Sequence, residues 1–364
     1  MILLNPGPVC LSPGVRRALL APDLCHREPE FFALQAAVRA RLVEVYGLDP
    51  SRWAAVLLTG SGTAAVEAML ASLVPAAGRL LVLENGAYGE RMSAIARAHA
   101  IERVRVDAGW GGALELDSVE RALDANPGVS HLGVVHHETT TGRLNRLDAL
   151  GALCRRRGVQ LLVDAVSSFG AEEIDFEGWG LAACAATGGK CLHGVPGLGF
   201  VVARRDALAA ACRPARSVYL DLALHHAEQD RGGTPFTPGL PAFYALAEAL
   251  RELAEQGGWR ARQARYRSLA QRVARGLERL GIEPLLPAGD SSVVLRSYRL
   301  PEGMLYAFLH DELKKRSFVI YAGQGALSAD LFRISTMGEI ADGDIDRLLD
   351  AFAEIVRTGE GDPE

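Results

Sequence analysis

Lysine is scarce in this chain: it occurs only at positions 190, 314 and 315, and arginine carries almost all the other positive charge. Lys314 and Lys315 form a pair on a stretch that reads as a solvated helix. Lys190 stands alone in Ala185-Ala186-Thr187-Gly188-Gly189-Lys190-Cys191-Leu192-His193-Gly194, where glycines permit sharp turns and close backbone approach. An isolated primary amine in such a loop suits covalent chemistry with a carbonyl, because the lysine pKa shifts readily and that of arginine does not. The competing reading is a surface lysine on a turn.

Three other segments could supply partners. Leu57-Leu58-Thr59-Gly60-Ser61-Gly62-Thr63 reads as a strand, a glycine turn and a helix start. The free N–H groups of a helix N-terminus bind phosphate, and Ser61 and Thr63 add hydroxyls; a plain Ser/Thr cap would look the same. Leu161-Leu162-Val163-Asp164 places a carboxylate at the end of an apolar strand, where open α/β sheets bind ligands. An acid there calls for a cation, unless it only caps the next turn. His136-His137-Glu138-Thr139-Thr140-Thr141-Gly142 follows another apolar strand and reads, residue by residue, as a polar turn. The two histidines match no metal-ligand pattern. Glu138, Asp164 and Lys190 are evenly spaced at 26 residues (164 − 138 and 190 − 164). A phosphate cradle, a strand-end acid and a lone lysine are the parts of a pyridoxal phosphate site: anchor, pyridinium partner and Schiff-base amine. A rival exists, since Gly60-x-Gly62-x-x-Ala65 with Glu84 ending the next strand fits a dinucleotide fingerprint. That NAD-binding oxidoreductase requires Lys190 to be inert.

These groups must be held by regular elements. Apolar runs at Ala54–Leu58, Leu80–Leu83, Val104–Val106, His131–Val135, Gln160–Val163, Ala182–Ala186 and Gly199–Val202 alternate with helical patterns at Thr63–Leu73, Arg91–His99, Leu116–Ala122 and Leu147–Arg156. Such alternation predicts an α/β fold with a mostly parallel seven-stranded sheet between helices. After Gly232–Pro241 come helical patterns at Ala242–Gln256 and Trp259–Leu280, then strands at Ser292–Tyr298, Phe318–Tyr321 and Leu331–Ser335, with a helix near Glu302–Arg316 and another from Asp342. The expected organisation is an N-terminal arm over 1–12 packing on the small domain or a partner, a large domain over 13–256 and a smaller C-terminal α/β domain over 257–364.

With 49% hydrophobic and 23% charged residues and a net charge of −5, the chain has a globular composition that gives no sign of a nucleic-acid or membrane-surface partner, and none is expected. Six cysteines show no CxxC pair, which favours reduced thiols. The start, Met1-Ile2-Leu3-Leu4-Asn5-Pro6, lacks a signal-peptide pattern, and no apolar run is long enough to span a bilayer. The expectation is a cytoplasmic protein.

The chain resembles the class V aminotransferases of fold type I over nearly its whole length. The matching text is Asn5-Pro6-Gly7-Pro8, Gly60-Ser61-Gly62-Thr63-x-x-Val66-Glu67-Ala68, Asn85-Gly86-Ala87-Tyr88-Gly89-x-Arg91-Met92, His136-x-Glu138-Thr139-Thr140-Thr141-Gly142, Val163-Asp164-Ala165-x-Ser167-Ser168-Phe169-Gly170, Lys190-Cys191-x-x-Gly194-Val195-Pro196-Gly197 and Phe332-Arg333-Ile334. The runs Thr139–Gly142 and Lys190–Gly197 favour the branch that converts 2-aminoethylphosphonate and pyruvate to phosphonoacetaldehyde and alanine. An alanine– or serine–glyoxylate aminotransferase would share every cofactor residue. A cysteine desulfurase would need a cysteine before Arg333, and Ser317–Arg333 has none.

The resemblance implies roles. Lys190 would hold the cofactor aldehyde and move the proton, and Asp164 would keep the pyridine nitrogen protonated. Tyr88 would stack on the ring, Thr139 would reach its phenolic oxygen, and Ser61, Gly62 and Thr63, with Thr187 nearby, would complete the cofactor site. Thr237 would reach the phosphate of a neighbouring subunit, implying a homodimer with shared sites. Arg333 would grip the substrate's acid group, and Arg27, in the N-terminal segment, is a candidate second cation for the phosphonate. Two departures stand out. Gly189 replaces the usual polar amide before the lysine, and the proline after Thr237 falls one place early.

Overall fold

The structure, a computed structural model, describes residues 1–359, with side chains to Arg357. Seven strands form the central sheet: β1 (Trp53–Gly60), β2 (Arg79–Glu84), β3 (Glu102–Asp107), β4 (Val129–Val135), β5 (Gln160–Asp164), β6 (Leu181–Thr187) and β7 (Gly197–Arg204). Their spatial order is β1-β7-β6-β5-β4-β2-β3. Six run the same way, and β7 lies antiparallel between β1 and β6. The seven apolar runs of the sequence become these seven strands; the inner ones are buried on both faces between layers of helix, while the edge strand β3 is only half-buried at Val104 and Val106.

One face packs on Phe31, Val38 and Leu42 of helix Pro29–Glu44 and on Phe243, Leu246 and Leu250 of helix Leu240–Glu255. The other packs on helix α1 (Gly62–Leu73) and helix α2 (Ala87–Ala98) through Val66, Met69, Leu70, Met92 and Ile95. Strand β6 is Leu-Ala-Ala-Cys-Ala-Ala-Thr, buried throughout. Its small side chains let the flanking helices approach.

Helix Pro29–Glu44 has no counterpart in the periodicity of the sequence. Its apolar and polar residues are mixed around the axis, and its identity rests on tertiary burial rather than on an amphipathic stripe. The C-terminal part of the chain builds a three-stranded antiparallel sheet from Leu295–Arg299, Leu331–Ser335 and Tyr321–Ala322 against helices Gly258–Glu278, Tyr306–Lys315 and Asp342–Gly359. The expected single strand Phe318–Tyr321 is two. Phe318–Val319 pairs in parallel with Ile2–Leu3, and Tyr321–Ala322 pairs with Leu331–Ser335. Ile320 between them is fully buried, and the chain changes sheets there.

Among the described residues, no helix is long and apolar enough to cross a membrane. All six cysteines are free, and among the described residues no cluster of His, Cys, Asp or Glu could hold a metal.

Candidate active site

The C-terminal ends of the parallel strands open on a cavity of about 620 Å³ lined by Ser61, Gly62, Thr63, Tyr88, Asp164, Thr187 and Lys190. Residues from β1, β5, β6 and α2, far apart in sequence, therefore meet at one edge of the sheet, where this architecture places ligands.

At the end of β1 the chain turns through Gly60 (φ 157°) into α1. Ser61 is the N-cap, its hydroxyl accepting from the Ala64 N–H at 3.4 Å. A Cβ at Gly62 would stand 2.7 Å from Val166 Cγ1, so glycine is required for this helix end to approach the Asp164 turn. Asp164 ends β5 and accepts from the Val166 N–H at 2.9 Å through Oδ1. Burial pushes its carboxyl up to about 6; nearby Glu138 adds to the rise, while Arg91 and Lys190 oppose it. Lys190 Nζ donates to the Pro6 carbonyl oxygen. Burial lowers the pKa of the amine, and Arg333 and Arg91 push the same way. A lysine with a depressed pKa is the form that can act as a nucleophile or base. A Cβ at Gly7 would be 3.0 Å from the lysine Nζ, so the N-terminal segment closes the cavity directly over the amine.

Gly189 is fixed by its neighbours. A Cβ there would meet Pro196 N at 2.8 Å and Pro196 Cα at 3.0 Å, both backbone atoms. The missing polar amide therefore reflects the close approach of the Gly194–Gly197 turn. Gly189→Gln is expected to destabilise the protein by about 1–3 kcal/mol through overpacking, read as a lower melting temperature. An unchanged or higher melting temperature would show that the turn yields freely.

The remaining expected residues fall in three places. Arg333 is buried, with Nε donating to the Ala322 carbonyl at 2.8 Å and Nη1 to the Thr139 carbonyl at 3.0 Å. It does not line the cavity wall, but its charge is felt by Lys190. Thr139 is also buried, and its hydroxyl has no partner. Thr187 lines the cavity and donates to the Leu198 carbonyl at 2.9 Å. Thr237 lies outside the cavity on an exposed turn; two residues on, the Gly239 N–H donates to Thr59 Oγ1 at 2.9 Å. Arg27 is exposed and does not line the cavity. Glu84, the acid a dinucleotide site would use, is 1% exposed and is taken up by Arg105 and Ser93.

Sequence reasoning assigned no role to Arg91, Gly7 or Glu138. Arg91 lines the cavity, donates to Thr63 Oγ1 at 3.2 Å and holds its guanidinium carbon 4.6 Å from the Tyr88 ring centroid. The signal available was its place one helical turn after Tyr88, at i+3.

Three histidines on and just after β4 are buried neutral. Burial lowers His131 to about 4, His136 to about 3 and His137 to about 4. Their folded values lie below the ordinary value of about 6.5, so their contribution is intact above that pH and is lost as pH falls toward 4. Each contributes up to about 3 kcal/mol. Asp164 works in the opposite sense, since its raised folded value means stability is gained as pH falls through about 6. Burial also lowers His193, His225 and His226 and raises Glu138 and Glu172; six histidines outweigh three carboxyls, so the denaturant midpoint of the protein is expected to fall between pH 6.5 and 4. A flat profile over that range would contradict the burial of these rings.

Comparison with known proteins agrees with this arrangement. Residues 25–291 match the model of the aminotransferase class-V family. A 2-aminoethylphosphonate–pyruvate transaminase of Aeromonas hydrophila is 40% identical over 97% of this chain and 94% of its own. One from Syntrophobacter fumaroxidans is 38% identical over 96% and 95%. Among solved structures, an aspartate aminotransferase of Thermus thermophilus superimposes with a TM-score of 0.90 at 31% identity, covering 98% of this chain and 99% of that one. With that match over most of its length, and with an amine, an acid and a helix N-terminus meeting at one sheet edge, this chain belongs to the class-V aminotransferases.

Proposed function

We propose that this protein transfers the amino group of 2-aminoethylphosphonate to pyruvate, giving phosphonoacetaldehyde and L-alanine, with pyridoxal 5'-phosphate bound in the Lys190 cavity. The observation that carries the cofactor assignment is the pairing of a buried amine of lowered pKa with a strand-end carboxylate in one cavity. The residues present fit that group. The free N–H groups of α1 with Ser61 and Thr63 suit a phosphate. Asp164 is a buried acid awaiting a cation, and Thr139 offers a buried hydroxyl that has no partner in the protein. The substrate assignment is supported by full-length relatives at 36–40% identity that carry this activity in their names.

When bound, pyridoxal phosphate supplies an aldehyde that takes up the amino group and a ring that accepts the electron pair left by the departing proton. Lys190 Nζ would hold the aldehyde and, once displaced by the substrate amine, would be the base that takes the proton from the carbon bearing nitrogen and returns it on the cofactor side. Asp164 would pair with the protonated ring nitrogen. Tyr88 would form one wall, and Ser61, Gly62 and Thr63 would hold the phosphate. Arg333, with Nε held by the Ala322 carbonyl and Nη1 by the Thr139 carbonyl, would turn its remaining donors, those of Nη2 above all, to the phosphonate or the pyruvate carboxylate. Thr237, which is exposed, would serve the phosphate of a second copy of the chain in a homodimer.

The test is a substrate comparison. With 2-aminoethylphosphonate and pyruvate the protein is expected to form L-alanine far faster than it forms glycine from alanine or serine with glyoxylate. Faster turnover with glyoxylate would replace this reading by the glyoxylate branch of the family.

A further inference from the structure

Helix α2 supplies the cavity with Tyr88 from its first turn and Arg91 from the next, yet it has no cap of its own. Its N-cap is Gly86, which makes no side-chain hydrogen bond. The first three N–H groups of a helix need partners when they are buried. Here they find them in another segment, the polar run after β4. The Ala87 N–H donates to Thr140 Oγ1 at 3.0 Å. The Tyr88 and Gly89 N–H groups both donate to Glu138 Oε2, at 3.1 and 3.3 Å. The second carboxylate oxygen, Oε1, accepts from the Thr140 hydroxyl at 2.5 Å and from the Thr140 N–H at 3.2 Å. Glu138 is 0% exposed and forms no ion pair among the described residues. A Cβ at Gly86 would overlap its carboxyl, so glycine at 86 leaves room for this acid. The next residue, Thr139, has its carbonyl held by Arg333. One buried carboxylate thus joins the helix carrying the cavity's aromatic wall to the loop that orients the buried arginine.

We propose that Glu138 is a positioning residue for the cofactor site: by capping α2 from outside, it fixes where the start of that helix presents Tyr88, and one turn on Arg91, to the Lys190 cavity. The inference deepens the proposed function and rests on that reading. The carboxylate is required because four donors converge on its two oxygens. A glutamine at 138 would turn its NH₂ group toward one of the two donor pairs in either amide orientation, leaving two donors facing a donor. Burial raises the Glu138 pKa, and the donors from Thr140, Gly89 and Tyr88 offset the rise by stabilising the charged form.

The test is a double-mutant cycle read on pyridoxal phosphate affinity, by titrating cofactor-free protein and following visible absorbance. In otherwise unmodified protein, Tyr88→Ala is expected to weaken binding about tenfold. In Glu138→Gln, where the helix start is no longer held, the same Tyr88→Ala change is expected to cost less than about twofold. An equal loss in both backgrounds overturns the proposal, because a residue that only stabilises the fold would leave the tyrosine's contribution intact. No loss on Tyr88→Ala in the unmodified background also overturns it. If Glu138→Gln does not fold, the cycle uses Thr140→Val, with Thr140→Ser expected to restore the coupling; additive losses there overturn the proposal equally. Failure of the unmodified protein to bind pyridoxal phosphate would instead remove the functional reading itself.

Discussion

Lys190→Arg is expected to reduce transamination by at least about 10⁴-fold, the range lost when a nucleophile and its proton transfer are both removed. The substitution keeps a positive charge in the cavity, so an effect of that size cannot be attributed to lost electrostatic attraction. What it removes is an amine able to give up its proton. Burial lowers the lysine pKa, with Arg333 and Arg91 assisting, whereas a guanidinium stays protonated at any working pH. The larger head must also fit beneath Gly7, where the present side chain already leaves no room for a Cβ. The measurement is L-alanine formed from pyruvate with 2-aminoethylphosphonate as donor. More than about 1% residual activity would mean that the proton is moved by another group.

Asp164→Asn is expected to lower kcat by about 10²- to 10³-fold, comparable with removing one preorganised partner from a developing charge, with a much smaller change in KM. The two side chains have the same shape, so the cavity and the β5 end persist. The difference is charge. A buried carboxylate facing a ring N–H⁺ is a charge-assisted pair, and an amide cannot keep that ring protonated. In the ligand-free protein, burial holds the Asp164 carboxyl near 6, with Glu138 adding to the rise. Pairing with a cation would pull it down. A kcat loss of less than about tenfold would show that ring protonation does not depend on this acid.

The legible part of the fold was set by burial on both faces of the sheet. Six short apolar runs mark the inner strands and β1 because a strand between two helical layers has no solvent face to break the pattern; the edge strand β3 shows only Val104 and Val106 on either side of Arg105. Lys190 stood out because lysine is so rare in the chain, and Asp164 because an acid at the end of Leu161-Leu162-Val163 has no cheap alternative to a partner. What the sequence hid was pairing across segments. Glu138 reads as a turn residue, and nothing at 86–89 shows that a helix start there lacks a cap. Arg91 lies one turn beyond Tyr88, but its reach to Thr63 depends on how α1 and α2 pack. Helix Pro29–Glu44 lacks a clean apolar stripe, and the division of Phe318–Ala322 between two sheets depends on where Ile2–Leu3 docks.

The most direct test is to load the protein with pyridoxal phosphate, reduce it with borohydride, digest it and locate the added mass by peptide mass spectrometry. The account predicts loss of the visible colour and a single phosphopyridoxyl group on the peptide containing Lys190. A label on Lys314 or Lys315, or colour that borohydride leaves unchanged, would contradict it.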